Sequence, residues 1–212
     1  MLENVTSEEI KRQFKSNKRL RLITFAVGGA LVLIVGYLVY YQFVSVPKNK
    51  KSEDAYWNGL NLASKDSTDM AIEELTAQVK KYDGYKGGEN AQFVLGRQYM
   101  EKGEFNKALE TLEKVKVSDT YLSSMTLGLQ GDCYSELKKY KEAAGKYKDA
   151  ANESINEWTT PMYLFKAGLC AEELQDFDSA LKLYEEIKND YTTFANNKAI
   201  DKYIARVSNL KK

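Results

Sequence analysis

Catalysis needs reactive groups in usable spacing, and this chain offers few. It has no histidine, which removes imidazole bases, Ser-His-Asp triads and most transition-metal sites. Carboxylates occur as sequence neighbours in Glu73-Glu74, Glu172-Glu173 and Glu185-Glu186. Adjacent residues on a helix do not face one another, so these pairs read as solvated helix faces and not as acid–base couples. No Gly-rich phosphate loop ends in Gly-Lys-Ser/Thr, and no Gly-x-Ser-x-Gly elbow is present. Two cysteines, Cys133 and Cys170, cannot build a disulfide framework or a zinc knuckle alone. The expectation is a chain that is not an enzyme and uses no cofactor and no metal. Its function should then lie in surfaces, and surfaces depend on the elements that carry them.

The first such element is the stretch Leu22–Val46, 25 residues without a charge. As a helix it would span about 37 Å, against about 30 Å of bilayer hydrocarbon. Tyr37, Tyr40, Tyr41 and Phe43 gather at one end, as aromatic residues do at a membrane–water interface. A buried core helix is the alternative, but core helices seldom run this long without a polar face. No cleavage site of small residues follows the stretch, so it reads as a retained transmembrane anchor. Before it, residues 1–21 form a polar tail. Thr6 and Glu9 have capping-box spacing, and Lys11, Arg12, Lys15, Lys18, Arg19 and Arg21 follow. Only Lys48, Lys50 and Lys51 stand beyond the span. That asymmetry predicts a cytoplasmic N-terminus. Residues 47–54 read as a short linker, about 28 Å when stretched. The remaining chain has 25 basic and 27 acidic residues, which gives no reason to expect nucleic acid.

From residue 55 the chain repeats. Gly59, Gly96, Gly131 and Gly168 are spaced by 37, 35 and 37 residues. Ala71, Ala108, Ala143 and Ala180 each stand twelve residues after a glycine, and Leu75, Leu112, Tyr147 and Tyr184 four further on. Between glycine and alanine lie short turn-like runs such as Lys102-Gly103-Glu104 and Gln175-Asp176. This is the pattern of stacked helix hairpins. Glycine and alanine let two helices cross closely, and the large residue fills the gap toward the next hairpin. Cys133 and Cys170 occupy equivalent places in neighbouring hairpins. Packed helices lie about 8–10 Å apart and a disulfide needs Cα atoms within about 7 Å, so two buried thiols are expected. Tyr82–Asn90, with three glycines, reads as a loose connection. Residues 192–210 read as an amphipathic capping helix, with Ile200, Tyr203, Ile204, Val207 and Leu210 on one face.

Leu95-Gly96-x-x-Tyr99 with Ala108-x-x-x-Leu112, Gly131-x-x-Tyr134 with Ala143-x-x-x-Tyr147, and Gly168 with Ala180-x-x-x-Tyr184 resemble the tetratricopeptide repeat. The resemblance covers about residues 55–190. It departs from the family in its longer repeat and in lacking the tryptophan that opens each unit. It implies an all-α fold: one N-terminal transmembrane helix, then a solenoid of about four hairpins in 55–212 with a cap. It also implies a partner groove along the first helices, at positions three before, one after and four after each glycine. Three before, these are Tyr56, Phe93 and Phe165, with Gly128. One after, they are Leu60, Arg97, Asp132 and Leu169. Four after, they include Met100, Ser135 and Glu172. Met125 and Met162 stand six before. Such a surface suits apolar segments and adaptable recognition. The same side chains can instead pack against neighbouring helices, and both readings stand at this point.

Anchor, linker and repeats together resemble the YfgM-like ancillary subunit of the SecYEG translocon. Gly88-Glu89-Asn90-Ala91, Leu129-Gln130-Gly131-Asp132 and the closing Ile200–Arg206 are similar to its Bacteroidetes-type members. This resemblance implies a bacterial inner-membrane protein with a periplasmic domain. Its partners would be SecYEG subunits, a periplasmic chaperone and newly exported polypeptides. The alternatives are an envelope scaffold of another assembly, such as cell division or outer-membrane secretion, and a mitochondrial import receptor.

Overall fold

Small residues at fixed intervals decide where helices can touch, and the helix boundaries follow them. The computed structural model describes residues 6–65, 67–116 and 119–211, and only the backbone of Glu9. The capping box at Thr6 and Glu9 depends on the Glu9 side chain and so lies outside the described residues. All regular structure among the described residues is helical. The chain divides into two units between Lys50 and Lys51.

The first unit holds α1 (Ser7–Ser16), α2 (Lys18–Tyr40) and a turn of π-helix, Tyr41–Ser45. Asn17 separates α1 from α2. Its backbone is extended, and its side-chain oxygen accepts from the amides of Arg19 and Leu20, capping α2. No residue of α2 or of the π turn is buried, so the apolar stretch is not a core helix of this fold. Among the described residues it forms the one helix long and apolar enough to cross a membrane. Residues 47–54, expected as a linker, are helical instead and belong to α3 (Val46–Ala63). The π register ends with the Val46 amide donating to the Tyr41 carbonyl, just where Pro47, with no amide, interrupts the α ladder. Nothing after Pro47 breaks a helix, so the polar run to Asp54 continues it.

Four hairpins make up the repeat region. They pair α3 with α4 (Thr68–Lys81), α5 (Lys86–Glu101) with α6 (Phe105–Leu112), α7 (Thr120–Glu136) with α8 (Tyr140–Glu153), and α9 (Thr159–Glu173) with α10 (Phe177–Asp190). The fold is an all-α, tetratricopeptide-like solenoid. In the last three hairpins the first helix ends five residues after the glycine, and the chain turns at the seventh. Gly103, Lys138 and Gln175 have φ of 76°, 58° and 57° there, the left-handed geometry that ends a helix.

The four repeat alanines are fully buried. The residue four further on fills space toward the next element where it is tyrosine: the Tyr147 ring stacks on Tyr163 of the next hairpin at 6.5 Å, and the Tyr184 ring meets Tyr203 of the cap at 5.6 Å. It also fills space within its own hairpin. Leu75, Leu112, Tyr147 and Tyr184 lie against the glycine of their own hairpin. A Cβ on Gly96 would come within 2.6 Å of Leu112, one on Gly131 within 2.6 Å of Tyr147, and one on Gly168 within 2.5 Å of Tyr184. The glycine is a socket and the large residue its plug. Burying one such plug contributes about 1.5–3 kcal/mol.

Tyr82–Asn90 is not loose. Only residues 82–85 form a turn, and α5 starts at Lys86. Gly87 is buried where any side chain would strike the backbone of Ser52, and its amide donates to the Ser52 hydroxyl at 3.1 Å. Here glycine permits close approach, not mobility.

Buried side chains form two clusters. One joins α4, α5 and α6 with Cys133; the other joins α8 to the C-terminal helices. The cap expected as one helix over 192–210 is two, α11 (Thr192–Lys198) and α12 (Ile200–Leu210), broken at Ala199 with φ of 54°. Ile200 and Val207 are buried as the apolar face predicts, while Leu210 stays exposed.

Candidate functional site

In the last two hairpins the plug is tyrosine, and its hydroxyl continues the structure outward. Tyr147, on α8, donates to Asp132 on α7 at 2.6 Å. Lys166, on α9, reaches the same carboxylate oxygen at 2.6 Å, with its ammonium 5.4 Å from the centre of the Tyr147 ring. The next hairpin repeats the theme from a different position. Tyr184, on α10, donates to Glu172 on α9 at 2.6 Å, and Arg206, on α12, meets that oxygen at 2.6 Å. Each tyrosine therefore ties its hairpin to the following element through one carboxylate and one cation. Burial first, and the adjacent carboxylate second, push both tyrosine hydroxyls well above their ordinary pKa, so they stay protonated donors.

These groups wall a cleft. A cavity of about 780 Å³ is lined by Ser135, Tyr147, Lys166, Leu169, Glu172 and Arg206, among others. A neighbouring one of about 460 Å³ shares Ser135, Tyr147 and Lys166 and extends the trough to Met100, Phe105 and Asp132. Apolar contact comes from Met100, Phe105, Phe177, Leu169 and Leu210. Glu136 and Glu173 add exposed negative charge.

The structure thus divides the ten groove positions. Met100, Asp132 and Leu169 are brought together on the trough. They stand one or four residues after a glycine, as do Ser135 and Glu172. Arg97 is exposed and pairs weakly with Glu101 at 3.9 Å. Tyr56 and Leu60 are half-buried against the first cluster, Met162 is half-buried against the second, and Met125 is exposed. None of these five lines the two cavities. Phe93 and Phe165, three before a glycine, are each 7% exposed and sit inside the two clusters. For these two the packing alternative is the one observed. The cap is the reason for Phe165: the rings of Phe194 and Tyr203 close over it at 6.4 and 4.8 Å. Gly128, in the same register, is covered by the Tyr163 ring.

Lys166, Arg206 and the two tyrosine hydroxyls escaped the sequence reading. The signal was the change from leucine to tyrosine at the plug, in just those hairpins that carry an acid one or four residues after the glycine. Cys133 and Cys170 are free, buried thiols. Burial pushes them up to about 12 and about 11, which makes Cys170 a poor nucleophile where it borders the cleft. Carboxylates already held by a tyrosine and a cation are fixed walls. Such an arrangement can bind a chain.

Comparison with known proteins agrees with this architecture. Residues 163–193 match the family model for the tetratricopeptide repeat. A segment of 69 residues, 32% of this chain, is 36% identical to lipopolysaccharide assembly protein B of Escherichia coli strain K12, and to its counterpart in strain O157:H7. The match spans 18% of those relatives' own length. Two crystal structures of MamA share the fold. One covers 72% of this chain and 94% of its own, at 21% identity and a TM-score of 0.54. The other covers 77% and 89%, at 19% identity and a TM-score of 0.56. The fold and the matched repeat define a protein-interaction module.

Proposed function

We propose that this chain is a membrane-anchored docking protein at the Sec translocon. It would recruit a periplasmic chaperone or contact newly exported polypeptides there, beside the SecYEG subunits. The observation that carries the reading is the trough from Met100 to Leu210, whose walls are fixed by the tyrosine–carboxylate–cation ties. A preformed trough loses little conformational entropy when a segment docks. The exposed apolar helix α2 supplies the anchor. Six basic residues before it and three after favour a single pass through the bacterial inner membrane, N-terminus in the cytoplasm and repeats in the periplasm. Protease added to spheroplasts should then digest the repeat region; protection until the membrane is breached would reverse the orientation.

A second reading, a scaffold for another envelope assembly, is favoured by the partial likeness to lipopolysaccharide assembly protein B. Photo-crosslinking in cells from position 169, inside the trough, separates the two. Adducts with translocon subunits, chaperones or exported chains support the first reading. Adducts confined to another envelope machine support the second. A trough that yields no adduct in the full-length anchored protein is not the working surface.

A further inference from the structure

Cations beside an apolar span are ordinarily a matter of topology alone. The first helix of this chain carries more than that. Lys11, Arg12 and Lys15 are exposed together on one side of α1, with Glu8 and Ser16. Ile10 and Phe14, one helical turn apart, occupy a different side, and Ile10 is 57% exposed. The two sides are therefore chemically distinct. Nor does α1 run straight into α2. Asn17 breaks the helix with an extended backbone (φ −102°, ψ 103°), and its side chain starts a new one. The chain then bends. The rings of Phe14 and Phe25 meet edge to face at 6.1 Å, although they are eleven residues apart in sequence. On one continuous helix that separation would be about 16 Å along the axis. So α1 is turned against the first turns of the apolar stretch, at the depth where that stretch would enter the bilayer.

We propose that α1 is an interfacial helix that binds anionic lipids of the leaflet on its own side. Lys11, Arg12 and Lys15 engage lipid phosphates, while Ile10 and Phe14 enter the acyl boundary. The inference rests on the reading of α2 as a membrane span. A lipid surface is favoured over a nucleic acid because the cationic side adjoins an apolar one on which Ile10 is exposed, and only a membrane meets both at once.

The test uses the full chain in nanodiscs of phosphatidylcholine alone and of equal phosphatidylcholine and phosphatidylglycerol, read by amide exchange over residues 7–16. One basic residue near an anionic surface contributes roughly fivefold in affinity. Exchange in the anionic discs should therefore slow by about tenfold or more. The combined change Lys11→Gln, Arg12→Gln and Lys15→Gln should abolish the difference, with Lys18, Arg19 and Arg21 left to hold the orientation. Equal exchange in both discs, or protection that survives the substitutions, overturns the proposal. So does protection by added RNA in neutral discs that anionic lipid fails to match. Failure of the chain to enter either disc overturns the reading of α2 instead, and entry without lipid dependence overturns only the role of α1.

Discussion

Hairpins one and two differ from hairpins three and four in a single choice of plug. Leu75 and Leu112 fill the glycine socket with aliphatic carbon and stop there. Tyr147 and Tyr184 fill it equally well, at 3% and 0% exposure, and then project a hydroxyl to a carboxylate. The ties between successive elements differ accordingly. In the first half they use a backbone group on one side or lie on the surface. Gln130 donates to the Leu112 carbonyl at 3.2 Å, Gly87 to the Ser52 hydroxyl, and Lys102 pairs with exposed Asp69 at 2.7 Å. In the second half they run through charged side chains that also wall the trough. Packing alone is enough to stack hairpins. The hydroxyl adds a fixed polar surface to the same packing, and the surface is where a partner can be read.

Exchanging the plugs should give the largest effects. Leu112→Tyr forces a ring into a leucine socket, and the positions that would accept its hydroxyl are Arg97 and Met100, neither of them an acceptor. Overpacking and an unmet hydroxyl together should cost about 3 kcal/mol. Tyr147→Leu should cost less, about 2 kcal/mol, because Lys166 still neutralises Asp132. Denaturant unfolding of the two variants gives both values. A tolerated Leu112→Tyr would mean that the two sockets are interchangeable and the comparison is empty.

Alkali should sharpen it. Tyr147, Tyr163 and Tyr184 all have folded pKa values raised by burial, Tyr163 to about 12. A pKa raised on folding stabilises below the unfolded value and is lost as pH climbs through the folded one. Stability should therefore fall from pH about 9 through the buried thiols Cys133 and Cys170, and more steeply above about 10 through these tyrosines, where the unfolded chain releases protons that the folded chain still holds. All three lie in the last two hairpins. Amide exchange at rising pH should loosen α8 to α10 before α4 to α6, and Tyr147→Phe with Tyr184→Phe should flatten that dependence. Loosening that begins in the first two hairpins would contradict it.

The repeat was readable because its register is local. Glycine, alanine and plug recur at fixed offsets, and each offset maps onto one crossing of two helices. Depth was not readable. Positions three before the glycine and one after share a helix face to within a turn, yet Phe165 is sealed and Leu169 is half-buried and still borders the trough. The difference lies in α11 and α12, some thirty residues on, whose docking is a tertiary event. Two further features misled for a similar reason. Three glycines in Tyr82–Asn90 suggested looseness, while one of them serves a contact with Ser52, 35 residues earlier. The polar run 47–54 does hold the boundary between the two units, but composition suggested a stretched linker where the chain is helical. Lys166 and Arg206 stayed hidden because each stands 34 residues after the carboxylate it holds, in the next hairpin or in the cap.

The smallest expected effect concerns the sockets themselves. Replacing a helical glycine by alanine is worth about 1 kcal/mol in helix propensity. Against that stands the collision of the new Cβ, 2.6 Å from Leu112 at Gly96 and 2.6 Å from Tyr147 at Gly131. Equal distances do not imply equal costs. The branched end of Leu112 can rotate, so Gly96→Ala should end near zero, the two terms offsetting each other. The Tyr147 ring is held at its far end by Asp132 and cannot swing without breaking that bond. Gly131→Ala should therefore lose about 1 kcal/mol net, within the range known for overpacked cores. Freeing the ring supplies the decisive arm. In a Tyr147→Phe background the hydroxyl tether is gone, so Gly131→Ala should cost less than in wild type, a coupling of about 0.5–1 kcal/mol in a double-mutant cycle. Zero coupling would mean that the hydroxyl bond follows the packing and does not constrain it. The tyrosine ties would then be a consequence of how the hairpins stack, and the trough would owe its rigidity to the helices alone.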